Sequence, residues 1–408
     1  MIRKLKIEKN IYKNMYYIFY ILIMFCGTTF LKNYDSQILI LLMFDTFLMA
    51  HMSNRKCAYI NKKRITIIPF LMILVFVFYL VFQFHIAYAP SIVKTYILRY
   101  FAMSFLFIYI PHEDVLYNSV KLSKYYSFIV AISIIVISIF SGTKSGGLVG
   151  SYQTGGMMMS IGCILFLMDY FNENNKFDIW GLLLCVFGLM ISGKRMFTII
   201  VGIAFIVLYF LSNKKKVRGR VILIVIVSLT LITIASNFIP SVNEIINRFT
   251  NNAGDIRVIT SGRNELWEKA IIAYKENKIF GIGFASFERY FNDNYRISGI
   301  GSYLTHNIYI GLLAETGLIG TVIYVGFMSY CLIRTFIIWK KHKLLTNHKE
   351  NYILTYSILI QLWFIIYGIT GNCIYDLNET FIYFIGISIM LSIEIRSLSN
   401  KDSQIRRL

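Results

Sequence analysis

The feature that most restricts this chain is a recurrence of long apolar runs with short basic clusters between them. A helix crossing a bilayer needs roughly 17 to 25 mostly apolar residues, because lipid offers its backbone no hydrogen-bond partners. Runs near that length, several at its short end, lie at 15–31, 36–52, 65–84, 93–110, 125–140, 155–171, 178–192, 196–212, 221–239, 318–339, 352–370 and 380–396. The expected fold class is an all-α integral membrane protein of about twelve transmembrane helices with one large outer helical loop. Three regions follow: transmembrane helices over 1–239, the loop over 240–306, and a surface or re-entrant helix, three further spans and a cytoplasmic tail over 307–408.

Composition excludes the main alternatives. Charged residues make up 15% of the 408 and hydrophobic ones 57%, whereas about 25% charged is usual for a soluble domain. The formal net charge of +20 raises nucleic acid as a partner. The basic residues, however, sit in clusters between apolar runs and not along one amphipathic face, which is the pattern of the positive-inside rule. The bilayer is the expected partner, and nucleic acid is not. No CxxC pair occurs among the six cysteines, which read as small buried apolar residues. The basic flank of the first run (Arg3, Lys4, Lys6, Lys9, Lys13) resembles that of a signal peptide. No small-residue cleavage site follows, so the run reads as a retained first helix.

The basic clusters also orient the chain. Arg55, Lys56, Lys62, Lys63 and Arg64 follow the second run, Lys214, Lys215, Lys216, Arg218 and Arg220 the eighth, and Lys340, Lys341, Lys343 and Lys349 the tenth. Arg396, Lys401, Arg406 and Arg407 follow the last. With twelve spans, all of these share the side of the N-terminus, so both termini are expected in the cytoplasm and 240–306 outside. Connection 85–92 carries no Asp, Glu, Lys or Arg, and 371–379 only Asp376 and Glu379.

The loop has helical pieces of its own. Val242, Ile245, Ile246 and Phe249 recur at helical spacing beyond Pro240. Ser261 is the expected N-cap of a helix running from Gly262 to about Asn277, with Leu266, Ala270 and Ala273 as its apolar stripe. Gly281-Ile282-Gly283 is expected to turn the chain, and Phe287, Tyr290 and Phe291 to mark another helix. Farther on, Ala314-Glu315-Thr316-Gly317 should break the apolar stretch 307–339 into a surface or half-buried helix and a true span.

Polar residues on the outer side are the candidates for chemistry. Lys194 and Arg195 follow Ser192-Gly193 in a tight connection facing outward, where basic residues are disfavoured. They are a snorkelling pair or an anion site, and arginine can hold phosphate oxygens through two parallel hydrogen bonds. Arg263 opens the loop helix, whose free N–H groups already favour an anion; alternatively it pairs with Glu265 or Asp255. His306, where the loop meets the apolar stretch, suits proton transfer near neutral pH, or is structural. Asn307 and Glu315 are placed to orient it or a sugar hydroxyl, or Glu315 caps the following helix. Tyr152, Gln153 and Thr154, after the glycine-rich connection Ser141–Gly147, are candidate glycan contacts. That connection lacks the GxxxxGK[ST] order of a P-loop, and an ATP site is not expected. With no zinc spacing, DxD or Ser-His-Asp pattern in sight, a metal-free mechanism without cofactors is expected.

Arg263 with Trp267, then Phe280-Gly281-Ile282-Gly283-Phe284, Thr305-His306-Asn307-Ile308-Tyr309 and Glu315-Thr316-Gly317-Leu318-Ile319-Gly320, resemble the O-antigen polymerase and ligase superfamily. Ser192-Gly193-Lys194-Arg195 is similar to that family's Ser-Arg stretch at the outer end of a helix, with an extra lysine. The resemblance covers residues 190–320 and implies a membrane glycosyltransferase of the bacterial plasma membrane, its site facing outward. It implies an undecaprenyl-diphosphate-linked oligosaccharide as donor and a lipid-linked acceptor. Arg195, Lys194 and Arg263 would be diphosphate ligands, with His306 as base or acceptor-positioning group. A chain-length regulator and a flippase are implied partners.

Within that superfamily the expected activity is a polymerase of O-antigen, capsule or exopolysaccharide repeat units. A ligase passing glycan to lipid A-core is the first rival. A flippase or transporter is the rival of another class, disfavoured because mid-span charges are scarce (Asp45, Arg99 and Arg334) while polar residues gather on one outer loop.

Overall fold

The computed structural model describes residues 2–25, 37–38, 40–41, 44, 59–87, 90–107, 113–141, 145–173, 175–211, 262–295, 304–342 and 348–405. Among them every regular element is helical. In chain order these are α1 (Ile2–Phe25), α2 (Tyr59–Gln83), α3 (Pro90–Ser104), α4 (Glu113–Ser141), α5 (Tyr152–Glu173), α6 (Lys176–Ser192) and α7 (Arg195–Leu211). They continue as α8 (Arg263–Glu276), α9 (Phe287–Asn294), α10 (Ile308–His342), α11 (His348–Tyr367) and α12 (Leu377–Ile405). Ten of the twelve expected spans fall on these helices. The run 221–239 lies outside the described residues, as do most of 36–52 and the loop segment 240–261 with its first expected helix.

Among the described residues, four helical stretches are long and apolar enough to cross a membrane: Glu113–Ser141, Tyr152–Asn172, Ile308–His342 and Leu377–Ser397. Ile68–Gln83 and Arg195–Leu211 are shorter apolar helices. Their outer faces carry Phe78, Phe140, Phe210 and Val322, all strongly exposed. Water would penalise such a surface, and hydrocarbon does not.

The chain divides into two compact units. The first comprises Met1–Met24, Asn33–Ser119 and Gly262–Leu408. Its core is aromatic: Phe76 lies 4.8 Å from Tyr324, Phe107 5.0 Å from Phe384, and Phe364 4.3 Å from Tyr383, centroid to centroid. The Tyr100 hydroxyl donates to the Ile374 carbonyl at 2.8 Å, so the ring cluster is also tied to the backbone between α11 and α12. At the far ends of these helices, His342 Nδ1 lies 3.0 Å from Glu350, and Arg396 pairs with Glu350 and Glu113. Arg334, a mid-span cation of α10, is hydrogen-bonded to Glu394 of α12, as a charge at depth requires.

The second unit comprises Phe25–Lys32 and Val120–Ser261. Here α5 and α6 approach closely because Gly181 leaves room for the Phe166 ring; a Cβ there would stand 2.2 Å from it. Lys124 is buried between Asp169 and Asp178 and lies 4.8 Å from the Phe166 centroid, while Lys121 reaches Asp169 at 2.7 Å. Such charges persist at low exposure only when paired this fully.

Candidate functional site

The loop helix α8 begins at Arg263, and its cap is Gly262 at φ +78° with no side-chain cap hydrogen bond. This corrects the expected start at Gly262. The expected cap, Ser261, lies outside the described residues. Leu266, Ala270 and Ala273 form the buried stripe that the spacing predicted. They pack with Ile282, Phe287, Tyr290, Phe291 and Ala314 into a small core of their own. Tyr290 of α9 donates to Glu276 at 3.1 Å; burial, first, and then Tyr295 and Glu276 push its hydroxyl well above the usual range, so it remains a donor.

Gly281-Ile282-Gly283 and Glu315-Thr316-Gly317 turn out to be two halves of one joint. Ile282 N–H donates to the Ala314 carbonyl (3.0 Å), Gly283 N–H to that of Glu315 (2.8 Å), and Leu318 N–H to that of Lys278 (2.9 Å). Gly281, Gly283 and Gly317 have φ of +74°, +98° and +61°, and Gly317 kinks α10 as expected. A Cβ on Gly281 would come within 2.4 Å of the Glu315 carbonyl, and one on Gly317 within 2.3 Å of the Ile279 carbonyl. The end of α2 clamps the joint: Tyr79 donates to the Thr316 carbonyl at 2.6 Å and Gln83 to that of Phe280 at 2.5 Å. In the part of α10 before the kink, Ile308, Gly311, Leu312 and Ala314 to Gly317 are buried, and Tyr309, Ile310 and Leu313 are half-buried.

Glu315 is 1% exposed. One carboxylate oxygen accepts from Ala285 N–H (2.7 Å) and the Tyr375 hydroxyl (2.5 Å), the other from Phe287 N–H (3.0 Å). It therefore caps α9, a helix earlier in the chain, and not the helix that follows it. The carboxylate joins the loop, the kink and the α11–α12 turn at one point.

His306 and its neighbours are built on that same turn. Trp267 Nε1 donates to the Thr305 carbonyl at 2.7 Å, which fixes α8 against the segment leading into α10. Asn307 caps α10, its side-chain oxygen accepting from Tyr309 and Ile310 N–H at 3.0 and 3.1 Å. Ile308 N–H donates to the Gly368 carbonyl at 2.8 Å, and Tyr309 donates to that of Ile365 at 2.8 Å. Held on both sides, His306 adopts a left-handed φ of +48°, an uncommon conformation for a residue with a Cβ. Its Nδ1 lies 3.0 Å from the Asn372 side-chain amide. Arg263 Nη1 donates to the Thr370 carbonyl at 2.7 Å. Cation and histidine are thus secured to residues two apart on one turn. Asp376, on the same connection, Glu379, in the first turn of α12, and Arg263 all lie within electrostatic reach of Tyr367.

Of the residues singled out in the sequence, Arg263, Trp267, His306, Asn307 and Glu315 fall in the first unit and are brought together here. Thr370, Asn372 and Tyr375 were missed. In the sequence, connection 371–379 stands out by its charges, Asp376 and Glu379, and its Gly-Asn pair after an apolar run is the other signal it offers.

Lys194, Arg195 and Gln153 fall in the second unit. Gly193 ends α6 in the left-handed conformation (φ +71°), and Arg195 opens α7, so the connection is as tight as expected. Gly156, in the second turn of α5, faces Lys194 and Phe197; a Cβ there would stand 3.2 Å from the Lys194 Cβ. Gln153 lies one turn earlier, its N–H 3.3 Å from Ser151 Oγ. Three members of the glycine-rich connection, 142–144, lie outside the described residues. Farther along it, Gly147 and Leu148 N–H are taken by Ser145 and Ser133.

A comparison with protein families matches residues 180–325 to the one described as O-Antigen ligase. The match spans the motifs, and bears out the superfamily resemblance read from them. No curated protein matches the chain.

Proposed function

We propose, for a chain with an O-antigen ligase-type segment at 180–325, that it is a polysaccharide polymerase joining lipid-linked repeat units end to end. The observation that carries this reading is the convergence of Arg263 and His306 on one turn, through Thr370 and Asn372. Transfer of a glycan from undecaprenyl diphosphate needs an acceptor hydroxyl to attack the anomeric carbon. The new carbon–oxygen bond forms as the bond to the diphosphate breaks, and its electron pair leaves on a diphosphate oxygen. The hydroxyl proton passes to His306, a positioned base supplying ~10²–10⁴ in rate. Arg263, in the first turn of α8, adds a fixed cation to a helix N-terminus, and so stabilises the charge growing on the leaving group. One-step attack inverts the anomeric centre.

Glu315 is not assigned a part in proton transfer, since protein donors occupy both its oxygens. Its role is to hold the loop. Lys194 and Arg195 are proposed as diphosphate ligands on sequence grounds, with Gln153 as a glycan contact. The proposed setting is the bacterial plasma membrane, with both termini cytoplasmic and loop 240–306 outside.

The second reading is the ligase, favoured by the family's description. A deletion strain separates the two. Single capped repeats mean a polymerase was lost, and uncapped core with intact lipid-linked polymer means a ligase was lost. An unchanged glycan profile would remove both.

A further inference from the structure

We infer that Asn372 is a positioning residue that determines which nitrogen of His306 carries the ring proton, an inference that rests on reading His306 as the base. Asn372 is 5% exposed, and its amide meets His306 Nδ1 at 3.0 Å. A neutral imidazole has one donor and one acceptor nitrogen, so the partner on one decides the state of the other.

With the amide nitrogen against the ring, Nδ1 accepts and the proton sits on Nε2, where it prevents proton uptake. With the amide oxygen there, Nδ1–H donates and Nε2 keeps its lone pair for the acceptor hydroxyl. The two ends of a primary amide are nearly the same size, so a half-turn exchanges them without repacking. No protein group among the described residues holds the present orientation by its oxygen, because Asn372 Oδ1 is buried and has no hydrogen-bond partner.

The backbone fixes the place of the ring against Asn372. Trp267 holds the Thr305 carbonyl, the Asn307 cap anchors the following helix, and His306 is fixed between them at positive φ. The transfer-competent form is therefore Asn372 Oδ1 accepting from His306 Nδ1–H, with Nε2 as the basic atom. The turn that anchors Arg263 through Thr370 thus also tunes the base.

The test uses the full-length protein in nanodiscs, extending a purified undecaprenyl-diphosphate-linked repeat unit. Asn372→Leu should lower kcat roughly 10- to 100-fold, part of what a positioned base supplies, with KM changed less than about threefold. Asn372→Asp can only accept from Nδ1–H, and should keep kcat within about fivefold of wild type. Adding Asn372→Leu to His306→Ala should slow the enzyme no further, because the two act as a unit. An Asn372→Asp enzyme as slow as Asn372→Leu overturns the inference, as does a wild-type kcat in Asn372→Leu or a loss confined to KM. Should Asn372→Leu fail to insert, the Asp variant decides alone. Full activity in His306→Ala removes the parent reading, whereas an inactive His306→Ala beside an unimpaired Asn372→Leu removes this inference only.

Discussion

The Glu315 carboxylate accepts a 2.5 Å hydrogen bond from the hydroxyl of Tyr375, 60 residues away in sequence. With Ala285 and Phe287 N–H on the same carboxylate, one buried side chain links the kink of α10, the start of α9 and the turn before α12. Three donors depend on it.

Replacing Glu315 by Gln keeps the shape but sets an amide N–H₂ against at least one of those donors. A buried donor left unsatisfied costs roughly 1–3 kcal/mol. The variant should insert, unfold at lower temperature in detergent and lose most chain extension because the loop shifts. A thermal scan of the purified protein beside a glycan ladder checks both, and an unchanged Tm would show that the three bonds contribute little.

Gly281→Ala should be worse than its size suggests. The added Cβ meets the Glu315 carbonyl at 2.4 Å, and φ is +74°. Forcing a side chain into the left-handed region alone costs about 1–2 kcal/mol. The expected result is a low yield of folded protein, measured by size-exclusion profile. Gly326→Ala on α10, where nothing lies within 4 Å of the new Cβ, should leave the profile unchanged.

His306→Ala should insert normally and abolish chain extension, consistent with a loss of ~10²–10⁴ in rate. Arg263→Lys should also be damaging, because lysine keeps the charge but loses the planar fork that can hold the Thr370 carbonyl and a phosphate together. Banding of the surface glycan on gels reads both. Long-chain glycan in either strain would remove that residue from the mechanism.

Orientation is open to chemistry on intact cells. Single cysteines placed in the 240–306 loop and at the Gly193–Lys194 connection should react with an impermeant maleimide, and one placed after Arg396 should react only once the cells are opened. Protection of either outward position would move it to the cytoplasmic side and leave the proposed transfer site without its setting.

How much of this was legible beforehand depends on how far each cause reaches along the chain. The α8 stripe was visible because helical period is a local property, and Leu266, Ala270 and Ala273 are buried as their spacing requires. The breaks at Gly281, Gly283 and Gly317 were visible for a similar reason, since glycine marks where φ must turn positive. That Gly-Ile-Gly and Glu-Thr-Gly are two sides of one joint was not visible. A motif shows that its residues are needed, and not what they touch.

The sequence by itself determined the helical class, the apolar runs, the Lys-Arg corner and the residues around Arg263 and His306, because hydrophobicity, periodicity and turn chemistry act within a few residues. Only the tertiary structure decided that Glu315 caps a helix 28 residues before it, and that Asn372 lies against a histidine 66 residues before it. Those pairings form only when α2, α8, α10 and the α11–α12 turn pack together, and which buried donor meets which acceptor is settled by that packing.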